Sequence, residues 1–185
     1  MFSEMQPVFT IGHSTRSIEA FLALLEESRV QCVVDVRRLP GSRAFPQFDA
    51  DALEKSLAHH GVDYWHLESL CGRRSAGEVK GLPGGNFWRN ASFARYAAWA
   101  RGDEFMRGLE ELIDRAGAES CALMCSEAVW WRCHRRIIAD HLLARGVPVR
   151  HIMGPGKVVD AELTRGARIV DGAPVYPDTE EEVSS

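Results

Sequence analysis

The sequence predicts an α/β fold: a mostly parallel central sheet of about five strands with helices on both faces. Two observations carry this. Short β-rich runs alternate with helical stripes along the chain. The runs Cys32–Val36 and Ser120–Cys125 are almost continuously apolar, as strands are when both faces are covered. A length of 185 residues, 45% hydrophobic and 26% charged, suits one domain with one sizeable core. That domain is expected over residues 1–177, with 178–185 as a disordered acidic tail.

Val8–Gly12 reads as the first strand, β-rich and ended by glycine. Ser17 then caps a helix whose apolar stripe is Ile18, Phe21, Leu22, Leu24 and Leu25. Cys32–Val36 is the second strand. Asp49 or Asp51 caps a second helix, which Gly61 stops after His60. Val62–Leu67 is a short third strand. Leu67–Asn90 is polar and glycine-rich, a loop long enough to be functional or mobile. Ser92–Ala100 and Glu104–Ala116 read as helices, and Ser120–Cys125 as the fourth strand. A helix follows from about Trp130 to Arg145, then a fifth strand over Val147–Met153. Ile169–Tyr176 forms a hairpin turning at Asp171-Gly172.

The net charge of −4 gives no global attraction to nucleic acid or to an anionic membrane, so any anion site must be local. Lysine occurs only at Lys55, Lys80 and Lys157, and arginine supplies the other cations. Many of these arginines, Arg37, Arg38, Arg73, Arg132 and Arg135 among them, fall in or beside the segments that follow strands. The five cysteines lack the spacing of a disulfide framework, and Cys32 and Cys121 sit in apolar runs as core residues. Met1–Pro7 has neither the basic start nor the apolar stretch of an export signal, and no run reaches the ~20 apolar residues of a membrane span. A reducing cytoplasm is the expected location.

Ligands of such folds bind beyond the carboxyl ends of the strands. Those ends carry Gly12-His13-Ser14, Asp35-Val36-Arg37-Arg38, His66, Cys125-Ser126-Glu127 and His151. Continued at 100° per residue, the helix after the fourth strand aligns His134 with Trp130, Ile137, Ile138 and His141. His134 is thus expected to point at the sheet, and Arg135 and Arg136 to reach around the helix or into solvent.

Thr10-Ile11-Gly12-His13-Ser14, Asp35-Val36-Arg37, Pro40 with Ser42, and Cys125-Ser126-Glu127 followed by Cys133-His134-Arg135 resemble the motifs of the domain-of-unknown-function 488 family. The resemblance runs from about Val8 to Met153. It implies a small α/β domain, a loose association with DNA repair, and a site that includes His13, Ser14, Asp35, Arg37, Cys125, Glu127, Cys133, His134 and Arg135. In the central loop Leu70-Cys71-Gly72 departs from the family's pattern, with cysteine in place of its first glycine.

Several chemistries fit these residues. Cys125, near arginines and a helix start, is a candidate nucleophile or a packed thiol. Its spacing to Arg132 is one residue longer than the Cys-x5-Arg loop of cysteine phosphatases, and no glycine permits that loop's curl. Glu127 and Asp35 are candidate general acids or bases with His134 as proton partner, or members of an ion-pair network with Arg37 and Arg135. His13, Ser14, Arg37, Arg135 and Arg73 are candidate ligands to an anion. Arg73 and Arg74, with Trp88 and Arg89, could also contact phosphates or stack on a base. Cys125, Glu127, Cys133 and His134 are acceptable metal ligands, but their spacing matches no known metal motif. No pattern points to a particular cofactor. The leading expectation is an enzyme acting on a phosphate- or nucleotide-containing small molecule. The alternatives are a non-catalytic nucleotide or nucleic-acid binding module and a redox or metal protein.

Overall fold

The computed structural model describes residues 5–82 and 85–179. In chain order it contains β1 (Val8–Gly12), α1 (Ile18–Glu27), β2 (Cys32–Asp35), α2 (Ala50–His59), β3 (Asp63–His66), α3 (Ala91–Trp99), α4 (Asp103–Ala118), β4 (Cys121–Cys125), α5 (Arg135–Ala144), β5 (Val149–Gly154), β6 (Lys157–Asp160), β7 (Arg168–Val170) and β8 (Ala173–Val175). The sheet runs β3-β2-β4-β1-β5-β6, and its first five strands are mutually parallel. The predicted α/β class is therefore correct, with one strand more than expected. β6 pairs antiparallel to β5 through a turn at Gly156, where φ is +66°. A four-residue edge strand, mostly exposed, leaves little apolar signal in the sequence.

Pleating divides each buried strand between two cores. Phe9, Ile11, Val33, Ala122 and Met124 pack against Phe21, Leu24 and Leu25 of α1 and Leu53 and Leu57 of α2. Val8, Cys32, Val34, Cys121, Leu123 and Cys125 face the other way, towards Tyr96 of α3, Phe105, Leu109 and Leu112 of α4, and Ile137, Ile138 and Leu142 of α5. The period of two is why neighbouring residues of one strand end serve opposite faces. It also sets which polar groups can meet.

Local chemistry ends most elements where the sequence indicates. Ser17 caps α1 by accepting from the Ala20 N–H at 3.1 Å. Asp49 occupies the cap position of α2, but its carboxylate accepts from the Ser42 N–H at 3.0 Å and so ties down the preceding loop. Asn90 caps α3, its side chain accepting from the Ser92 and Phe93 N–H groups. The hairpin turns at Asp171 and Gly172, both with positive φ, as a two-residue turn of this kind requires. Asp178 and Thr179 hydrogen-bond Asn86, while the remainder of the expected tail lies outside the described residues. Among the described residues no helix is long and apolar enough to cross a membrane.

The chain after β4 crosses directly over the end of β1. His13 N–H donates to the Cys125 carbonyl at 2.9 Å and Ser14 N–H to the Ser126 carbonyl at 3.1 Å. A Cβ at Gly12 would overlap the Glu127 carbonyl oxygen, a backbone atom that cannot swing aside. Gly12→Ala is accordingly expected to cost about 1–3 kcal/mol, measured as a lower midpoint in urea denaturation, because the strand and the crossing loop must separate. An unchanged midpoint would show that the crossing is looser than described.

Candidate functional site

A cavity of about 760 Å³ opens over the carboxyl ends of β1, β2 and β4. Its wall includes His13 and Ser14 after β1, Arg37 and Arg38 after β2, Arg73 of the central loop, and Ser126, Glu127, Arg132, Cys133 and His134 after β4. Phe45, Phe93 and Tyr96 add apolar surface. A second concavity of about 770 Å³ lies beside Ser42, Arg43, Asp49 and Lys55 and contains neither thiol nor imidazole.

One polar group lies on the α1–α2 side. Asp35 is fully buried and grips Arg37 by a forked pair, with Arg37 Nη2 at 2.8 Å and Nε at 3.0 Å from its two oxygens. Tyr64 donates its hydroxyl to the same carboxylate at 2.6 Å. Arg37 Nη1 donates to the Phe48 carbonyl at 2.8 Å and lies 3.4 Å from His13 Nε2. Burial works against the Arg37 charge, but the bonds to Asp35 outweigh it and the guanidinium is held charged. The His13 ring stacks on Phe48 with centroids 4.3 Å apart. Burial pushes its pKa down, so the imidazole is held neutral.

The second group lies on the α5 side and centres on two sulfurs. Cys125 Sγ and Cys133 Sγ are 3.2 Å apart. The backbone N–H and the Nε–H of Arg135 both donate to Cys133 Sγ, at 3.2 and 3.1 Å. Arg135 is almost wholly buried and completes its bonding with Thr10 Oγ1 at 3.2 Å and the Glu127 carbonyl at 2.7 Å. Burial opposes ionisation of Cys133, but hydrogen bonds from Cys125 and His134 and the Arg135 charge prevail, so its pKa falls well below that of an ordinary thiol. Burial and the neighbouring Cys133 push Cys125 the opposite way. With both Arg135 donors on its sulfur, Cys133 is the member of the pair favoured to ionise, and Cys125 the member held as a thiol. Behind them His151 bonds Thr10 Oγ1 at 2.6 Å and stacks on Trp130. Burial lowers the His151 pKa to about 4.

A family model described as Domain of unknown function DUF488 matches residues 17–142, more than half of the chain. The chain belongs to this family. No curated protein and no solved structure matches it. The DUF488 span contains both thiols, Asp35 and every arginine of the cavity, whereas His13 and Ser14 precede it.

Several residues of this DUF488 site sit differently from their sequence-based expectation. Helix α5 begins only at Arg135. Trp130–Arg132 form a short 3-10 turn and Cys133 is extended, with φ −135° and ψ 164°, so the helical phase drawn from Trp130 does not hold. Arg135, not His134, therefore points inward, and it serves Cys133 rather than an anion in the cavity. His134 instead lies at the cavity wall, with Nε2 3.0 Å from the Val36 carbonyl and its ring against Tyr96. It reaches that position because Gly72 has no side chain, since a Cβ there would lie 2.6 Å from His134 Nδ1. Glu127 is exposed, and its carbonyl, not its carboxylate, meets Arg135. The expected pairing of Glu127 with His134, Arg37 and Arg135 is not formed among the described contacts. Asp35 is sealed beneath the cavity by Arg37 and Tyr64. Arg37 in turn has little surface left for a ligand.

The arginines accessible in the cavity are Arg73 and Arg132, both exposed and neither paired with a carboxylate among the described residues. Arg38 is half-buried beside Glu78, 3.0 Å away. Arg74 is spent on structure: it bonds the Glu68 and Cys71 carbonyls and lies over the Trp99 ring at 3.9 Å. Trp88 packs among Phe87, Phe93 and Tyr176, with the Arg136 guanidinium over its ring at 5.2 Å. Cys71 needs no glycine's freedom, as its backbone is extended at φ −63°. Its thiol approaches the Arg37 carbonyl at 3.2 Å, and burial raises its pKa to about 12. The sequence marks Cys133 only as a family-motif residue and possible metal ligand. Its adjacency to Arg135 is visible in the sequence, but which of the two cysteines ionises depends on side-chain direction. Among the described residues no cluster of three or more His, Cys, Asp or Glu is placed to hold a metal ion.

Proposed function

We propose that this DUF488 protein is an enzyme that binds a phosphate- or nucleotide-containing small molecule in the cavity, where the Cys133 thiolate attacks phosphorus. An S–P bond forms, the P–O bond to the leaving alkoxide breaks, and that alkoxide takes a proton delivered through Glu127 from water. The observation that carries this reading is the charge of the cavity wall: Arg37 and Arg38 are balanced by Asp35 and Glu78, which leaves Arg73 and Arg132 against one carboxylate, Glu127, in a chain of net charge −4. Such a local excess concentrates anions in a concave, partly desolvated site. Arg73 and Arg132 hold the anion, with Ser14 and Ser126 beside them. Phe45 and Phe93 offer apolar surface to the rest of the molecule. Cys133 is the nucleophile because it alone combines a place at the wall with paired N–H donors on its sulfur. Glu127 is the exposed proton carrier at the same wall. Asp35 and His13 are positioning residues for Arg37.

Titration calorimetry with adenosine diphosphate, and separately with inorganic phosphate, tests the anion site. Arg132→Ala and Arg73→Ala are each expected to weaken binding about tenfold, the order of one lost charge-assisted hydrogen bond, and to flatten its dependence on salt. Glu127→Gln should bind as well as the parent or better, since it removes the one opposing charge. Affinity indifferent to both arginines would remove the basis for the reading.

A further inference from the structure

Cys125 closes strand β4 and Cys133 precedes helix α5, yet their sulfurs lie 3.2 Å apart at the cavity wall. Both thiols are free. Both border the cavity, Cys133 at 9% exposure and Cys125 at 3%, but only Cys133 receives two N–H donors from Arg135. An attacking thiolate that solvent can reach, backed by a thiol in contact, is the arrangement that redox-sensing cysteines require.

We propose that Cys133 is a site of oxidation by small hydroperoxides and that Cys125 resolves the product as a reversible Cys125–Cys133 disulfide. This rests on the Cys133 thiolate of the preceding reading but not on its anion site. In the first step the Cys133 sulfur attacks the terminal peroxide oxygen. An S–O bond forms and the O–O bond breaks. Cys133 becomes a sulfenic acid, and the alkoxide or hydroxide leaves to take a proton from water. In the second step Cys125 sulfur attacks the sulfur of Cys133. The S–S bond forms, and the sulfenic hydroxyl departs with the Cys125 proton as water. The thiol pair loses two electrons and the peroxide gains them.

Closure is short. A disulfide of about 2.05 Å requires the sulfurs to approach by roughly 1.1 Å, at the loss of the Arg135 bonds to Cys133. That loss leaves the buried guanidinium without its anionic partner, so the reduced pair is favoured and the disulfide is easily reversed. Cys32 and Cys121 are also opposed, in the register of β2 with β4, but both are fully buried and neither borders the cavity. Access therefore directs the oxidant to the Cys125–Cys133 pair, and the Arg135 donors make Cys133 its attacking member.

The test treats the reduced full-length chain with limiting hydrogen peroxide, blocks remaining thiols with iodoacetamide and maps the peptides by mass spectrometry. The expected result is a Cys125–Cys133 linked peptide, a loss of two of the five thiols, and full recovery with glutathione. Cys125→Ser should yield no linked peptide and a Cys133 sulfenic acid that dimedone captures. Cys133→Ser should slow thiol loss at least about tenfold. A Cys32–Cys121 link, a Cys133 sulfinic acid without any link, or five unreacted thiols would each overturn the proposal. The calorimetric titrations report on the anion site alone, so failure there and failure here are separate results.

Discussion

Asp35→Ala is expected to lower the unfolding free energy by about 3–5 kcal/mol, the cost of leaving one member of a buried ion pair uncompensated. The loss is large because Asp35 has no exposed surface and answers four donors: the Arg37 backbone N–H, Arg37 Nε, Arg37 Nη2 and the Tyr64 hydroxyl. Its removal leaves Arg37 with only the Phe48 carbonyl and a long contact to His13. Urea denaturation followed by circular dichroism measures the change. The double variant Asp35→Ala, Arg37→Met should recover part of the loss, because it removes the orphaned charge as well. If the single and double variants were equally unstable, the pair would contribute packing rather than charge compensation.

The second large effect is expected at Arg135. Arg135→Met keeps an unbranched apolar stem but deletes the guanidinium, and with it the Nε–H donor and the charge next to Cys133. Burial, which opposes ionisation, remains. The Cys133 pKa must therefore rise, and at neutral pH its thiolate fraction must fall. In the parent protein alkylation by iodoacetamide should persist at pH values below those at which an ordinary thiol, of pKa about 8.5, stops reacting. It should fade only as the pH drops through the lowered value. The variant's profile should move to higher pH, with a rate at neutral pH at least about tenfold lower. Peptide-resolved alkylation across pH reads this directly, and a melting curve at the same pH values separates it from unfolding. Superimposable profiles would mean that Arg135 does not stabilise the thiolate.

These two residues also show how far the sequence could be read. Asp35-Val36-Arg37 stands out as a polar interruption after an apolar strand, and its members do pair with each other. A helical phase counted from Trp130 puts Arg135 off the inward stripe of its helix. The 3-10 turn and the extended Cys133 reset that phase, and no local propensity announces where such a reset falls. Likewise Glu127 follows an apolar strand in sequence, yet the loop turns its carboxylate outward and uses its carbonyl.

The alternation of strands and helices, the continuous apolar character of β2 and β4, and the polar residues after each strand determined the α/β class and the end of the sheet where chemistry gathers. These are local patterns of period two and 3.6, and they survive without knowledge of neighbours. Only the tertiary structure decided which of those polar residues meet. The pleat sends Asp35 to the α1–α2 face and Thr10 and Cys125 to the α5 face. The expected single cluster is therefore two, with the arginine-lined cavity over the strand ends and Cys133 at its wall. Partner choice depends on side-chain direction and on strand order across the sheet, both of which arise only once distant segments pack.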